Sequence, residues 1–104
     1  MTALHNACSI VATMLACTGL RRTLPASAEA VEAALDVADG APVATLFTPR
    51  MVVDEELRRA RGAGDARAVL VCRAAAQLLA HARRPERALH AVLGLQAELD
   101  SVQA

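Results

Sequence analysis

The stretch LLAHARRPERALHAVLGL, residues 78–95, decides the fold. Two alanine- and leucine-rich segments that would otherwise run on as one long helix meet here at Arg83, Arg84 and Pro85. A proline inside a helix lacks the amide hydrogen and clashes with the carbonyl four residues back, whereas at the start of a helix it is well accommodated. The chain therefore turns at Pro85, and residues 66–99 form an αα-hairpin. Asp65 caps the first arm, which extends to about Ala82 and gathers Val71, Ala74, Ala75, Leu78 and Ala82 on one face. In the second arm Ala88, Leu89, Val92, Leu93 and Leu99 face inward. Arg83, Arg84 and Arg87 stand exposed at the corner.

Outward from this hairpin the same punctuation recurs. Leu4, Ala7, Cys8, Val11, Leu15 and Thr18 repeat at intervals of three and four, and Gly19 stops the pattern, so residues 2–18 form a helix. No formal charge occurs before Arg21, and a helix of that kind is either central to the core or covered by another chain. The next helix spans about residues 24–39, with Thr23 or Ser27 as cap candidates and Pro25 in its first turn. Ala28, Val31, Leu35 and Ala38 face inward, and Glu29, Glu32, Asp36 and Asp39 form an acidic face for solvent or for arginines of the other half. Residues 41–50, APVATLFTPR, lie between Pro42 and Pro49 as a loop or a short turn, with Val43, Leu46 and Phe47 tucked onto the core. Thr48 then caps a helix over 49–61, acidic early, arginine-rich late, and stopped by Gly62.

These readings predict one all-α domain over residues 1–104: a small helical-hairpin array of about five helices. Its parts are a hairpin over 2–39, a linker over 40–48, a helix over 49–61 and the hairpin over 66–99. A chain of 104 residues has room for one core only. With no lysine, tryptophan or tyrosine and one phenylalanine, that core is aliphatic, and the alanine-rich, arginine-only composition is that of a GC-rich, bacterial genome.

The net charge is zero but unevenly spread: residues 1–57 hold three arginines and seven acids, net −4, and residues 58–104 hold eight arginines and four acids, net +4. Such polarity steers a charged partner or a second copy. It supplies neither the basic surplus that duplex nucleic acid requires nor the aromatic platforms of single-strand binders.

Reactive chemistry is sparse. Cys8, Cys17 and Cys72 form no CxxC pair, and Cys8 and Cys17 lie on opposite faces of one helix about 13 Å apart, so they cannot bridge. They read as small hydrophobes in a reducing compartment. His5 and Cys8 make only two possible metal ligands, and consecutive Asp54, Glu55 and Glu56 point in different directions on a helix, forming neither a catalytic pair nor a metal cage. No nucleophile elbow, phosphate loop or zinc motif occurs, so no enzyme, cofactor or metal is expected. The apolar run at residues 7–20 is too short to span a bilayer. It has no basic residue before it and Arg21 and Arg22 after it, the reverse of a secretory signal, so a cytoplasmic location is expected.

The hairpin resembles one tetratricopeptide repeat in length, with Ala76, Leu79 and Ala88 at the repeat's small, large and small packing positions. Ala76 stands in place of the repeat's usual glycine and Leu79 in place of its usual aromatic residue. Together with MLACTGL (14–20) and AEAVEAAL (28–35), the stretch LVCRAAAQLLAHARRPERALHAVL (70–93) resembles the small tetratricopeptide-like co-chaperones of bacterial type III secretion. The segment TLFTPRMVVDEELRRARG departs from that pattern. The resemblance implies a non-enzymatic chaperone or adaptor that takes up an amphipathic helix of a small helical partner. Leu4, Val11 and Leu15 on the uncharged first helix, with Leu70, Leu78 and Leu79, would line the partner surface. The alternative is a self-associating helical subunit whose first helix is its own interface.

Overall fold

One helix, α4 (Ala66–Ala80), touches all four of the others. The computed structural model describes residues 2–103; Met1 and Ala104 lie outside the described residues. In chain order the elements are α1 (Ala3–Thr18), α2 (Pro25–Ala38), a 3-10 turn (Val43–Leu46), α3 (Phe47–Gly62), α4 and α5 (Pro85–Gln103). The protein is an all-α array of five helices, and among the described residues there is no strand.

Local chemistry accounts for most of the boundaries. Thr2 caps α1 by accepting the His5 backbone N–H at 3.2 Å, and Gly19 ends it in the left-handed region, φ 69°, where an L side chain is strained. Asp65 caps α4 by accepting from the Ala68 backbone N–H at 3.1 Å. At the junction quoted above, the Arg84 N–H donates to the His81 carbonyl at 2.8 Å, closing one turn. Pro85 is then the first residue of α5, where it has no intrahelical amide bond to lose.

The last helix runs on to Gln103 instead of ending at 99, and α4 stops at Ala80 rather than at about Ala82; two further boundaries differ for a local reason. The 3-10 turn runs straight into α3, so the helix begins at Phe47 rather than at 49 and Thr48 is not its cap. Pro49 is the third helical residue, still within the turn whose amides lack intrahelical acceptors. At α2 neither Thr23 nor Ser27 acts as the cap; the N-cap position is Leu24, which has no side chain to offer. The caps come instead from α3, as described below.

The core is aliphatic and continuous. Leu4, Ala7, Cys8, Val11, Met14 and Leu15 of α1 are buried together with Val71, Ala74, Ala75 and Leu78 of α4 and Ala88, Val92, Leu95 and Leu99 of α5. Alanine supplies the close approaches: Ala7, Ala30, Ala34, Ala74, Ala75 and Ala88 are fully buried, and their short side chains bring backbones together without strain. The uncharged α1 is thus central, its inner face covered by α2, α4 and α5 of the same chain. Because α1 packs on α5, the first and last helices meet, while α2 packs on α3 and α4. The two hairpins are therefore interleaved into one body with a radius of gyration of 12.3 Å, close to the roughly 13 Å of a globular domain of this length. No helix among those described is long and apolar enough to cross a membrane.

Two expected core residues lie outside it. Phe47 is 70% exposed because Leu46 takes the core position, and the next helical residue is turned about 100° away. Leu93 is exposed for the same reason: α5 buries Ala88, Val92, Leu95 and Leu99, spaced four, three and four apart, and 93 falls off that stripe.

Candidate docking surface

The groups able to do chemistry are mostly engaged in holding helices together. His5 accepts or donates at 2.6 Å with the Thr2 hydroxyl through Nδ1 and meets Asp39 Oδ1 at 2.8 Å through Nε2. This ties the start of α1 to the residue after α2, and the Thr2 hydroxyl is already the α1 cap. The three consecutive carboxylates of α3 point in three directions. Asp54 is exposed, Glu55 bonds Arg58 Nε at 3.0 Å, and Glu56 is only 8% exposed. The Arg58 guanidinium holds the Glu55 carboxyl down at about 2, with Arg59 adding to the effect.

Glu56 is the internal polar centre. Its Oε2 accepts the Ala26 backbone N–H at 2.8 Å, and its Oε1 accepts the Ser27 backbone N–H at 2.9 Å and the Ser27 hydroxyl at 2.6 Å. A carboxylate at a helix N-terminus meets both the free amides and the positive end of the dipole. Every buried side-chain nitrogen and oxygen among the described residues has a hydrogen-bond partner. Among those residues no three His, Cys, Asp or Glu side chains gather in a metal-holding geometry.

The cysteines are separated by environment. Burial pushes the Cys8 and Cys72 thiols up to about 11 in each case, while Cys17 is exposed on α1. At pH 8, Ellman's reagent is therefore expected to titrate one thiol in the native protein and three in guanidinium chloride; rapid labelling of two or more native thiols would contradict this burial. The sign for stability follows from the same shift. Folded thiols that keep their protons above the unfolded value favour the native state fully below about pH 9, and that contribution is lost as pH rises toward 11.

The residues expected to meet a partner are placed differently from the expectation. Leu4, Val11, Leu15, Leu70, Leu78 and Leu79 are all buried in the core of the single chain, covered by its own helices. Leu4, Val11 and Leu78 lie wholly in the interior, whereas Leu15, Leu70 and Leu79 form the floors of three separate surface clefts. The first-helix face that was a candidate interface is thus spent on the core, because hydrophobic burial satisfies an apolar stripe whichever chain supplies the cover.

Exposed large apolar side chains lie elsewhere, at Leu93 and Val102 of α5 and, most exposed of all, at the start of α3. Phe47 and Met51, 70% and 59% exposed, stand one turn apart on the same face, and Val52 is exposed beside them. Phe47 borders a cleft of about 410 Å³ with Val43 and Leu46 on one side and Leu79 and Ala80 of α4 on the other. Arg50 and Arg83 complete its rim. Residues 43–51 escaped the sequence reading as a surface because an aromatic residue between two prolines looks like an anchor for a loop.

A second cleft, of about 570 Å³, lies between the start of α4 and the end of α5, lined by Val69, Leu70 and Val102 with Arg61, Glu98 and Ser101 at its edges. No protein-family model matches the chain, and no curated protein or solved structure matches it significantly.

Proposed function

We propose that this chain is a non-enzymatic protein-interaction module that seats an amphipathic helix of a small partner protein on the cleft between the 3-10 turn, the start of α3 and α4. The observation that carries this reading is the position of Phe47. The only aromatic residue of the chain stands out in solvent, with Met51 behind it and a cleft of mixed polar and apolar lining at its side. Aromatic residues and methionine are enriched where proteins meet, and an aromatic anchor beside a pocket is the usual centre of binding energy. A helix presenting apolar side chains three and four residues apart has the spacing to engage Phe47, Met51 and the cleft together.

A chaperone or adaptor role, in a reducing cytoplasmic compartment, is the form of this reading supported by the unpaired Cys8, Cys17 and Cys72 and by the resemblance of residues 14–35 and 70–93 to type III secretion co-chaperones. A self-associating helical subunit is the second reading. It is favoured by the outer face of α1, where Asn6, Ser9, Ala12, Thr13 and Ala16 are exposed without a formal charge.

The test uses a synthetic helical peptide with a leucine stripe at i, i+3, i+4 and i+7 and glutamine elsewhere, titrated into the isotope-labelled chain. Backbone amide shifts are expected around Val43, Phe47 and Met51. The double variant Phe47→Ser/Met51→Ser should bind at least about tenfold more weakly while its thermal midpoint moves little, since exposed side chains usually contribute within about 0.5 kcal/mol of stability. Unchanged peptide affinity in that variant would remove this surface from consideration. Light scattering of the wild-type chain alone separates the second reading, which requires a closed homo-oligomer.

A further inference from the structure

From the charges on its rim, and resting on the docking reading above, we infer that the cleft selects an acidic partner helix, one that carries carboxylates beside its apolar stripe. Two guanidinium groups reach the same cleft from opposite walls, Arg50 from α3 and Arg83 from the turn after α4, and no acidic residue lines it. Both arginines are exposed, and neither takes part in any ion pair among the described residues.

Only three of the eleven arginines are ion-paired among the described residues, so what distinguishes Arg50 and Arg83 is that both line one cleft. Arg58 and Arg59 are held by Glu55, and Arg73 by Glu98. The acids nearest the cleft are Glu86, three residues after Arg83, and Asp54, which lines an adjoining pocket with Phe47, Arg50 and Met51. Neither forms an ion pair with these arginines. Arg84 adds a third exposed cation at the same corner. Two like charges on the rim of one cleft repel, and a carboxylate bound between them reverses the sign of that interaction. The guanidinium fork matches a carboxylate with two parallel N–H donors, so the pairing carries direction as well as charge.

An amphipathic helix delivers both requirements from one element. Its apolar side chains enter between Phe47 and Leu79, and glutamate or aspartate one turn away on the flank reaches Arg50 or Arg83. A lysine-flanked helix with the same apolar stripe meets two cations instead. Such like-charge juxtaposition is how interfaces exclude wrong partners.

Three synthetic helical peptides sharing the leucine stripe, with glutamate, glutamine or lysine at the flanking positions, test this against the wild-type full chain and its Arg50→Glu/Arg83→Glu variant. In the wild type the glutamate peptide is expected to bind at least about tenfold more tightly than the glutamine peptide, and the lysine peptide most weakly. The glutamate preference should fade as salt is raised from 50 to 500 mM. In the charge-reversed variant the order should invert while the thermal midpoint holds, because both positions are exposed. Equal binding of all three peptides at Phe47 and Met51 would overturn the charge selection and leave the docking surface standing. Failure of all three to bind, or binding that maps to the Val69 and Val102 cleft, would overturn the surface itself.

Discussion

Val11→Asp is expected to abolish folding, leaving a far-ultraviolet circular dichroism spectrum without the double helical minimum and no cooperative thermal transition at pH 7. Val11 is fully buried, 0% exposed, at the middle of α1, in a core where α1 meets α2, α4 and α5. Removing the valine forfeits about 1.5–3 kcal/mol of apolar burial. Placing an unpaired carboxylate there adds an effective desolvation penalty of several kcal/mol more. A domain of this size has about 5–15 kcal/mol of stability in all, so the two losses together consume most or all of it. Thr13→Asp, on the exposed face of the same helix, puts the same charge two residues away and should melt within a few degrees of the wild type. A Val11→Asp protein that stays helical and melts cooperatively would show that the inner face of α1 is not core. The pair of variants thus separates burial within the chain from burial against another chain.

The same residue shows where the sequence was informative and where it was not. The apolar period of α1, its Thr2 start and its Gly19 stop are local signals, and the structure has them at those positions. Pro85 and Asp65 likewise mark their boundaries through interactions within a few residues. What the period could not tell is who covers the stripe. Leu4, Val11, Leu15, Leu70, Leu78 and Leu79 looked available to a partner because burial is non-directional and leaves the same pattern for either cover. In the folded chain α2, α4 and α5 cover the stripe of α1, through long-range packing that no single segment encodes, while Leu79 still lines the cleft beside Phe47. Phe47 failed in the opposite sense. Its size suggested the core, yet one step of helical rotation beyond Leu46 turned it to solvent, and exposed apolar surface lies where the sequence suggests a tucked loop.

Glu56→Ala is expected to lower the thermal midpoint by roughly 15 °C or more, an effect out of proportion to the removal of one acidic residue from a run of three. The loss falls at the start of α2. A helix leaves its first amides without intrahelical acceptors; here Pro25 has no N–H, and the Ala28 N–H is bonded to the Leu24 carbonyl at 3.1 Å. The Ala26 and Ser27 amides remain, and both donate to Glu56, at 2.8 and 2.9 Å, as does the Ser27 hydroxyl at 2.6 Å. Ala26 and Ser27 are themselves buried, so their donors depend on the carboxylate for partners. Each buried donor left without a partner costs about 1–3 kcal/mol, which gives about 3–9 kcal/mol for the three. One kcal/mol shifts the midpoint by roughly 4–8 °C in a domain near this size. Glu56→Gln retains one acceptor oxygen but sets an amide NH2 against the remaining donors, and should lie between the wild type and the alanine variant. Ser27→Ala removes a single hydroxyl and should cost least. Hydrogen exchange supplies the readout that a general loss of packing would not: the Ala26 and Ser27 amides should exchange faster in Glu56→Ala relative to the amides of α4 and α5. If Glu56→Ala melts within about 3 °C of the wild type, or if those two amides keep their protection, the carboxylate is not what holds the start of α2. Neighbouring Asp54 offers the control. Exposed on the same helix, it should be replaceable by alanine with little change in stability, which separates the buried cap from the charge of the run.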